Sequence, residues 1–299
     1  MTTLITGSSG FIGRHLVKRL RARGENVIGL DIVFNEILDQ PNIRLGCDIT
    51  DDVSMKVTTE KLKNYSKISN CIHLAAVAAP RIAASDPRTA WDINVRGTYN
   101  VLKLCKDIDI RKVVFASSAH VYGISPKYLP TNESHPLAML DTYTVTKIAG
   151  EKLCSLFHSN YNMSTTVLRL FNAYGPGQSE DYFIGVKLRQ ARSGGPVTLM
   201  NGSVTKDWVF IDDAARAFEA ALYSEYVGAI NVGTGVETSL EHIARRIGDF
   251  YKLEVVVEEG SDNSPTRMLC DLGLANGVLN WTPNVKLDDG LNLLMQTNP

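Results

Sequence analysis

The chain has 299 residues, of which 44% are hydrophobic, and its 31 basic and 32 acidic side chains leave a formal net charge of -1 at pH 7. A chain of this length and composition can bury a full hydrophobic core in one large domain or two smaller ones. The balanced charge, with no basic cluster larger than the KRLRAR stretch of residues 18–23, argues against nucleic acid or a membrane surface as a partner.

The cysteine and histidine patterns indicate the redox compartment of the protein and whether it binds a metal ion. The five cysteines are odd in number and form no CxxC pair, which is typical of a protein kept in a reducing compartment. A strand-like run begins almost at Met1, leaving no room for a cleaved signal, and no apolar run approaches membrane-spanning length. The six histidines show no ligand spacing. We therefore expect a cytoplasmic protein without a metal site.

The first predicted strand, Thr3 to Thr6, runs into a glycine-rich turn. The stretch TGSSGFIG of residues 6–13 leads into a segment with apolar residues at helical spacing. A strand, a glycine turn and a helix in this order are the context of a dinucleotide-binding fingerprint. In it, Gly7 allows the tight turn, Gly10 lets the backbone approach a pyrophosphate, and Gly13 lets the helix pack closely on the strand. The N-terminus of the helix would face the phosphates.

The second predicted strand, Asn26 to Leu30, is followed by Asp31. An acid at this point accepts hydrogen bonds from an adenosine ribose and repels a 2′-phosphate, which favours NAD over NADP. Arg14 is a contrary hint, because a basic residue just after the last glycine could meet that phosphate. NAD is the cofactor that we expect.

Strands and helices continue to alternate through the first half of the chain. The further predicted strands are Ile43 to Leu45, Asn70 to Leu74, Lys112 to Ala116 and Thr165 to Leu170, and the amphipathic stretches between them include Ala90 to Lys106 and Thr142 to Ser159. This βαβ rhythm predicts an α/β fold with a doubly wound parallel sheet.

After Asn172 the sequence becomes turn-rich and less regular. The elements predicted there are a helix over Gly185 to Arg192, a short strand pair around residues 201–203, and helices over Leu240 to Tyr251 and Leu287 to Gln296. We expect residues 1–172, with 208–235 returning to them, to form the dinucleotide-binding domain. Residues 173–207 and 236–299 would form a smaller α/β substrate-binding lobe that caps the carboxyl ends of the sheet, where open α/β sheets bind ligands.

Tyr143 and Lys147 lie four residues apart in TYTVTK, downstream of the hydroxyl pair Ser117 and Ser118. Residues at i and i+4 share one face of a helix. A lysine ammonium beside a tyrosine phenol favours the ionised phenol and lowers its pKa from about 10. The spacing therefore predicts a general base that takes a proton from a sugar or alcohol hydroxyl.

With these features together, the chain resembles the extended short-chain dehydrogenase/reductase family. Within that family it is similar to the NAD-dependent nucleotide-sugar epimerases and dehydratases, and to UDP-glucose 4-epimerases in particular. The resemblance runs nearly end to end, through TGSSGFIG (6–13), HLAA (73–76), NVRGT (94–98), SSAHVYG (117–123), YTVTK (143–147), RLFNAYGPGQ (169–178), KDWVFIDD (206–213) and NVGTG (231–235).

The resemblance implies a role for each matching position. The cofactor would be bound by the glycine turn and by a set of further residues: Gly7, Gly10, Phe11, Ile12, Gly13, Asp31, Asp48, Ile49, Leu74, Ala75, Ala76, Asn94, Tyr143, Lys147 and Phe171. Asp48 and Ile49 would cover the adenine, and Lys147 would also bind the nicotinamide ribose. Ser118 would hydrogen-bond the reacting sugar oxygen, completing a catalytic group with Tyr143 and Lys147. Asn172, Lys206 and Arg267 would hold the diphosphate of the sugar nucleotide, Arg267 as a bidentate fork.

Two positions depart from the pattern of these enzymes. Lys206 stands where arginine is usual, and lysine is a point charge rather than a planar fork. Ala119 and His120 stand where the 4,6-dehydratases carry an Asp-Glu pair. Elimination of water needs an acid and a base there, and alanine can be neither, so dehydration is disfavoured. Decarboxylases of this group also place an acid at the position of His120, which counts against that activity.

The resemblance thus implies a nucleotide-sugar 4-epimerase that acts on a UDP-hexose or UDP-hexosamine through a transient 4-keto sugar. A reductase of an NDP-4-keto-6-deoxysugar, using NADH or NADPH stoichiometrically, is the alternative reaction. A non-catalytic NAD-binding scaffold or sensor is the alternative of another class. Similar enzymes pair the helix that carries Trp91 and Tyr99 with the helix that carries Tyr143, so we also expect a homodimer.

Overall fold

The computed structural model describes residues 1–34, 40–65, 67–258 and 266–296. The strands in these ranges are β1 (Thr2–Thr6), β2 (Asn26–Asp31), β3 (Ile43–Gly46), β4 (Asn70–His73), β5 (Lys112–Ser118), β6 (Ser164–Leu170), β7 (Asn172–Tyr174), β8 (Val197–Met200), β9 (Thr205–Phe210), β10 (Gly228–Val232), β11 (Glu237–Ser239) and β12 (Val255–Glu258).

Helices connect most of these strands. In chain order they are α1 (Phe11–Ala22), α2 (Asp52–Lys63), α3 (Pro80–Ser85), α4 (Pro87–Trp91), α5 (Thr98–Asp107), α6 (Thr142–Tyr161), α7 (Phe183–Arg192), α8 (Ile211–Tyr223), α9 (Leu240–Tyr251), α10 (Gly273–Leu279) and α11 (Leu287–Gln296). A 3-10 turn covers Ala119–Tyr122.

Within the described residues, seven strands form a parallel sheet in the order β10-β6-β5-β4-β1-β2-β3. The chain first builds outward from β1 through β2 to β3, then returns to the other side of β1 with β4. A crevice opens at such a reversal, outside the carboxyl ends of the strands. The predicted fold class, a doubly wound parallel sheet, is confirmed.

The sheet is covered on both faces. Successive residues of β1 point to opposite sides, so that Leu4 packs in one buried apolar cluster with Leu102 of α5, and Ile5 packs in another with Leu16 of α1. Strands buried on both faces read as continuous apolar runs rather than as alternating patterns. This burial explains why β1 and β5 show no polar face in the sequence.

The predicted amphipathic stretch over Ala90 to Lys106 is helical, but its middle departs from a regular α-helix. Helix α4 ends at Trp91, residues Asp92–Gly97 form a wider π-helical stretch, and α5 begins at Thr98. The Thr98 hydroxyl donates to the Asn94 carbonyl at 2.6 Å, which takes an acceptor of the regular helix. Such π-helical stretches occur frequently at functional sites, and this one holds Asn94, whose buried side chain bonds the Val77 backbone and the Thr146 hydroxyl.

The predicted strand pair around residues 201–203 is wrong. The flanking strands β8 and β9 do not pair with each other: β8 pairs with β12 in parallel, and β9 lies between β11 and β7. The turn between them therefore carries the chain from one small sheet to another. Local strand signals predict that a residue is extended, whereas the partner of a strand is set by the remainder of the fold.

We retain the predicted domain division as a proposal. Strand β10 lies at the edge of the large sheet beside β6, which supports the return of residues 208–235 to the dinucleotide-binding domain. The small sheets formed by β7, β9 and β11 and by β8 and β12 lie in or beside the predicted substrate lobe.

Candidate active site

A cavity of about 1070 Å³ lies at the crevice beside β1 and β4. It is lined by most of the residues predicted to bind cofactor or substrate: Gly7, Gly10, Phe11, Ile12, Gly13, Asp31, Asp48, Ile49, Leu74, Ala75, Ala76, Ser118, Tyr143, Lys147, Phe171 and Asn172. Their positions span more than half of the chain, and the parallel sheet brings them together because the loops after its strands open at one edge. Asn94, Lys206 and Arg267 are not among the lining residues.

The glycine turn has no room for side chains. A Cβ at Gly13 would overlap the Gly7 carbonyl oxygen, and a Cβ at Gly7 would lie 2.8 Å from the backbone nitrogen of Ala75. Gly7 also has a positive φ of 67°, which residues other than glycine rarely adopt. Helix α1 begins at Phe11 without a side-chain cap, so its first N–H groups are available to an anion in the cavity. This cradle fits the pyrophosphate of a dinucleotide.

Asp31 is held at the end of β2 by two backbone donors. Its Oδ2 accepts from Ser9 N at 2.9 Å and its Oδ1 from Ile32 N at 2.8 Å. Each carboxylate oxygen keeps further acceptor capacity, and Asp31 lines the cavity. The carboxylate is therefore placed to accept hydrogen bonds from the hydroxyls of a ribose, as the sequence predicts.

Arg14, the contrary hint to NAD, has partners in the protein. Its guanidinium donates to the carbonyl oxygens of Pro176 and Gly177, in the loop after β7. In this structure the side chain therefore fastens that loop onto α1. His15, one residue on, reaches the Pro176 carbonyl oxygen at 3.0 Å and fastens the same loop.

Tyr143 lies in the first turn of α6, whose start is set by a capping box. The Asp141 carboxylate accepts from Thr144 N at 2.7 Å, and the Thr144 hydroxyl pairs in return with the Asp141 backbone. Ser118 ends the neighbouring strand β5, and its hydroxyl is close enough to Tyr143 to lower the pKa of the phenol. Both side chains line the cavity.

Lys147 lies one turn further along α6, on the same side as Tyr143. Its Nζ donates to the Ala116 carbonyl of β5 at 3.0 Å and lies 5.9 Å from the centre of the Tyr143 ring. Both side chains are almost fully buried. The helical spacing brings Tyr143 and Lys147 to one face of α6, and Ser118 lies opposite them at the end of β5.

The expectation that Lys147 lowers the pKa of Tyr143 is not met in this structure. Burial raises the pKa of Tyr143 to about 12, and the Ser118 hydroxyl opposes that rise only in part. The Lys147 ammonium directs its proton to a backbone carbonyl, and its own pKa is lowered to about 8 by burial. Desolvation disfavours the charged form of each group, and here it outweighs their mutual attraction.

The predicted diphosphate contacts are only partly assembled. Asn172 lines the cavity, and its amide donates to the Asp207 carbonyl at 3.0 Å. The guanidinium fork of Arg267 is taken by Glu237, with Nε–Oε1 at 2.8 Å and Nη2–Oε2 at 2.5 Å. Lys206 is largely buried, and that burial lowers its pKa.

His120 faces the cavity beside the catalytic group. Its ring meets the Tyr143 ring edge-on, with 6.1 Å between the ring centres. Burial, and secondarily the charge of Lys206, lower the pKa of His120, so the ring is neutral at pH 7. His120 thus both packs against Tyr143 and lines the cavity.

Asp207 is an organising residue that the sequence reading overlooked. The side chain is fully buried and accepts from Thr234 N at 2.6 Å, Gly235 N at 2.8 Å and Cys270 N at 3.2 Å. One carboxylate thus ties three segments of the substrate side together. The one sequence feature that could have pointed to Asp207 was its position next to Lys206 in the KDWVFIDD motif.

We expect Asp207→Asn to lower the free energy of unfolding by about 1–3 kcal/mol, because an amide NH₂ would oppose backbone N–H donors in a buried site. Denaturant unfolding measures this loss. Asp109→Asn is the matched control, since Asp109 pairs with Arg111 at the surface, and the expected change there is below about 0.5 kcal/mol. Equal stability of the two variants would contradict the organising role of Asp207.

The remaining expectations concern metals, disulfides and membranes. All five cysteines are buried and free. Across the described ranges, no cluster of three or more histidine, cysteine or acidic side chains is arranged to hold a metal ion. In the same ranges no helix combines the length and apolarity that crossing a membrane requires.

The fold and the site together define a dinucleotide-binding α/β enzyme with a Ser–Tyr–Lys group at the cavity floor. Residues 3–233 match the family described as NAD dependent epimerase/dehydratase. The chain is 33% identical to a putative UDP-glucose 4-epimerase of Methanocaldococcus jannaschii, covering 96% of this chain and 95% of that one. It is 31% identical to a UDP-glucuronate 4-epimerase of Thermodesulfobacterium geofontis, covering 96% and 93%.

A solved structure shows the same architecture. The UDP-glucose 4-epimerase of Thermus thermophilus, in complex with NAD, superposes with a TM-score of 0.88 at 26% identity, over 99% of this chain and 98% of that one. The chain belongs to the NAD-dependent epimerase/dehydratase family. Its cofactor is NAD.

Proposed function

We propose that the protein is a nucleotide-sugar 4-epimerase acting on a UDP-hexose or UDP-hexosamine. The observation that carries the proposal is the placement of Tyr143, Ser118 and Lys147 in the same cavity as the glycine cradle. The curated relatives named above, one of them a putative assignment, are 4-epimerases of UDP-sugars, which supports the choice of reaction and of nucleotide.

The reaction divides between the cofactor and the chain. NAD supplies a hydride acceptor that afterwards becomes the donor, and the protein supplies binding, orientation and proton transfer. Tyr143 removes the proton of the C4 hydroxyl and later returns it, so C4 passes through a ketone and its configuration can invert. Ser118 hydrogen-bonds the same oxygen and relays the proton. Lys147 binds the nicotinamide ribose and keeps a positive charge beside the phenol.

We propose that the sugar turns within the cavity while its diphosphate stays bound. Asn172, Lys206 and Arg267 are the residues that we assign to the diphosphate. Arg267 would exchange the Glu237 carboxylate for phosphate oxygens, since both present the planar pair of acceptors that a guanidinium fork matches. If the protein binds only the diphosphate, the hexose ring can rotate and present either face to Tyr143.

Dehydration, another reaction of the family, needs an acid that this cavity lacks. Ala119 lines the cavity at the predicted position of an acid, and its side chain cannot transfer a proton. This favours epimerisation over dehydration. The alternative of a stoichiometric 4-ketosugar reductase drew support from Arg14 as a 2′-phosphate ligand, and that support is weakened by its contacts with Pro176 and Gly177.

The proposal is tested by incubating the purified protein with UDP-glucose, UDP-N-acetylglucosamine, UDP-glucuronate and their C4 epimers without added cofactor. We expect at least one pair to interconvert, because the hydride returns to the substrate and NAD is not consumed. If none interconverts, the UDP-sugar epimerase proposal is rejected. Oxidation of added NADH or NADPH by a 4-keto sugar would point to the reductase, and NAD binding without any turnover to a scaffold.

We also propose a homodimer through α4, α5 and α6. Three large apolar side chains on these helices are about half exposed: Trp91 (49%), Tyr99 (45%) and Leu156 (48%). Exposed aromatic and aliphatic side chains on neighbouring helices are typical of an interface between subunits. Light scattering of the purified protein should give the mass of two chains, and a monomer at micromolar concentration would refute this arrangement.

A further inference from the structure

We propose that the buried ion pair of Glu151 and Arg169 sets the charge environment of Lys147, and that both are positioning residues for proton transfer at Tyr143. The inference rests on the proposed function, because it assumes that Tyr143 and Lys147 act on the substrate. Neither Glu151 nor Arg169 lines the cavity, so they would act through Lys147.

Three residues of one helix face carry the inference. Tyr143, Lys147 and Glu151 follow one another at intervals of four in α6 and are all buried. The Lys147 ammonium donates to the Ala116 carbonyl at 3.0 Å, and the next residue of β5, Ser117, donates from its hydroxyl to Glu151 Oε1 at 2.6 Å. Lys147 is thus enclosed between the catalytic phenol on one side and a buried carboxylate on the other.

That carboxylate is balanced by Arg169 of β6. The pair is bidentate, with Nε–Oε1 at 2.9 Å and Nη2–Oε2 at 2.7 Å, and each side chain is only 7% exposed. Arg169 Nη1 donates to the Tyr122 hydroxyl at 2.9 Å and to the Glu133 carbonyl at 3.2 Å. The guanidinium is therefore fixed on every side and cannot turn away from Glu151.

Because Arg169 pairs with Glu151, the Lys147 ammonium can stay beside the Tyr143 phenol. Without Arg169, the unpaired Glu151 carboxylate one helical turn from Lys147 would attract its ammonium away from the phenol. With Arg169 in place, the only hydrogen-bond partner of the Lys147 ammonium among the described residues is a backbone carbonyl. Burial lowers the pKa of Lys147 to about 8, and the charge of Glu151 opposes that shift.

The other titratable groups near Lys147 do not compete for this role. His73 of β4 is neutral, since burial and the charge of Lys147 lower its pKa to about 3. The pKa of Tyr122 and that of Glu133, which face Arg169, are both raised by burial. The charges that can shift the pKa of Lys147 are therefore those of Glu151 and of Arg169, which is paired with it.

The test follows the titration of the Lys147 Nζ by NMR in protein labelled with ¹⁵N-lysine, assigned from the signal that Lys147→Met lacks. Removing a negative charge stabilises the neutral amine, so Glu151→Gln should lower the Lys147 midpoint by roughly 1 pH unit. Removing the positive charge in Arg169→Met should raise the midpoint by a similar amount. Opposite shifts of the two variants are the expected result.

Controls separate charge from packing. Arg169→Lys keeps the charge and should leave the midpoint unchanged. Thr165→Val removes a hydrogen bond between the same strand and helix, from the Thr165 hydroxyl to the Cys154 carbonyl, without a charge change, and should also leave it unchanged. Lys112, another lysine whose pKa burial lowers to about 8, serves as an internal reference that none of the variants should move.

The double variant Glu151→Gln/Arg169→Met guards against failure of a single variant to fold, because it leaves no buried charge unpaired. It should lower the midpoint by less than Glu151→Gln alone. The proposal is overturned if the midpoint stays at the wild-type value in every variant, or if both single variants shift it in the same direction. The NMR titration decides this even if no UDP-sugar interconverts, and in an active enzyme the pH profile of turnover should move in the same directions.

Discussion

Replacing Tyr143 by phenylalanine should lower turnover by about 10²–10⁴-fold, the range expected on loss of a general acid–base group. The ring packs against Ala83 and Ala90, and phenylalanine keeps that packing, so the fold should lose little stability. Affinity for the nucleotide sugar should change little, because we assign the diphosphate contacts to other residues. Steady-state kinetics and calorimetric binding measure the two quantities separately.

Tyr65→Phe is the matched control for this substitution. Tyr65 follows α2 at the surface, with 37% of its surface exposed, and does not line the cavity. Its loss of a hydroxyl should leave turnover unchanged. Near-normal turnover in Tyr143→Phe would refute the proposed mechanism, whichever sugar proves to be the substrate.

The second large effect is expected at the glycine turn. Gly13→Ala places a methyl group on the Gly7 carbonyl oxygen and 2.8 Å from the backbone of Ser8. These are backbone atoms, and the turn cannot shift toward β4, because the space beside Gly7 is already closed by Ala75. We therefore expect NAD binding to weaken by at least roughly 100-fold, equivalent to about 2.7 kcal/mol.

Calorimetry or the amount of copurified NAD measures the loss at Gly13, and denaturant unfolding should show an accompanying destabilisation of about 1–3 kcal/mol. Gly277→Ala is the control, since nothing lies within 4 Å of a Cβ at that position in α10. Alanine is the better helix former, so this variant should gain about 0.5–1 kcal/mol. Wild-type affinity for NAD in Gly13→Ala would contradict the role of the turn as the pyrophosphate cradle.

The sequence by itself determined the features that depend on local order. A strand followed by the glycine turn and a helix, an acid at the end of β2, and the interval between Tyr143 and Lys147 all rest on neighbours along the chain. The alternation of predicted strands and amphipathic stretches was enough to predict a doubly wound parallel sheet. The ends of most strands and helices were correct to within one or two residues, as short-range periodicity allows.

Only the tertiary structure decided the features that depend on distant groups. Arg14 fastens the loop at Pro176, the Arg267 fork is held by Glu237, and Asp207 joins segments far apart in the chain. No local pattern predicts these partners, because each lies far away along the sequence. The same holds for the strand pairings around residues 201–203.

The protonation of the catalytic group is the clearest case. Spacing alone suggested that Lys147 would lower the pKa of Tyr143, since the two share a helix face. The structure shows both groups buried, and burial raises the pKa of the phenol to about 12 while it lowers that of the amine to about 8. A sequence places charges at intervals along a helix, but the water removed around them is set by the strands that pack on it. The sequence therefore determined that Tyr143 and Lys147 share a helix face, and the tertiary structure decided the direction in which their pKa values move.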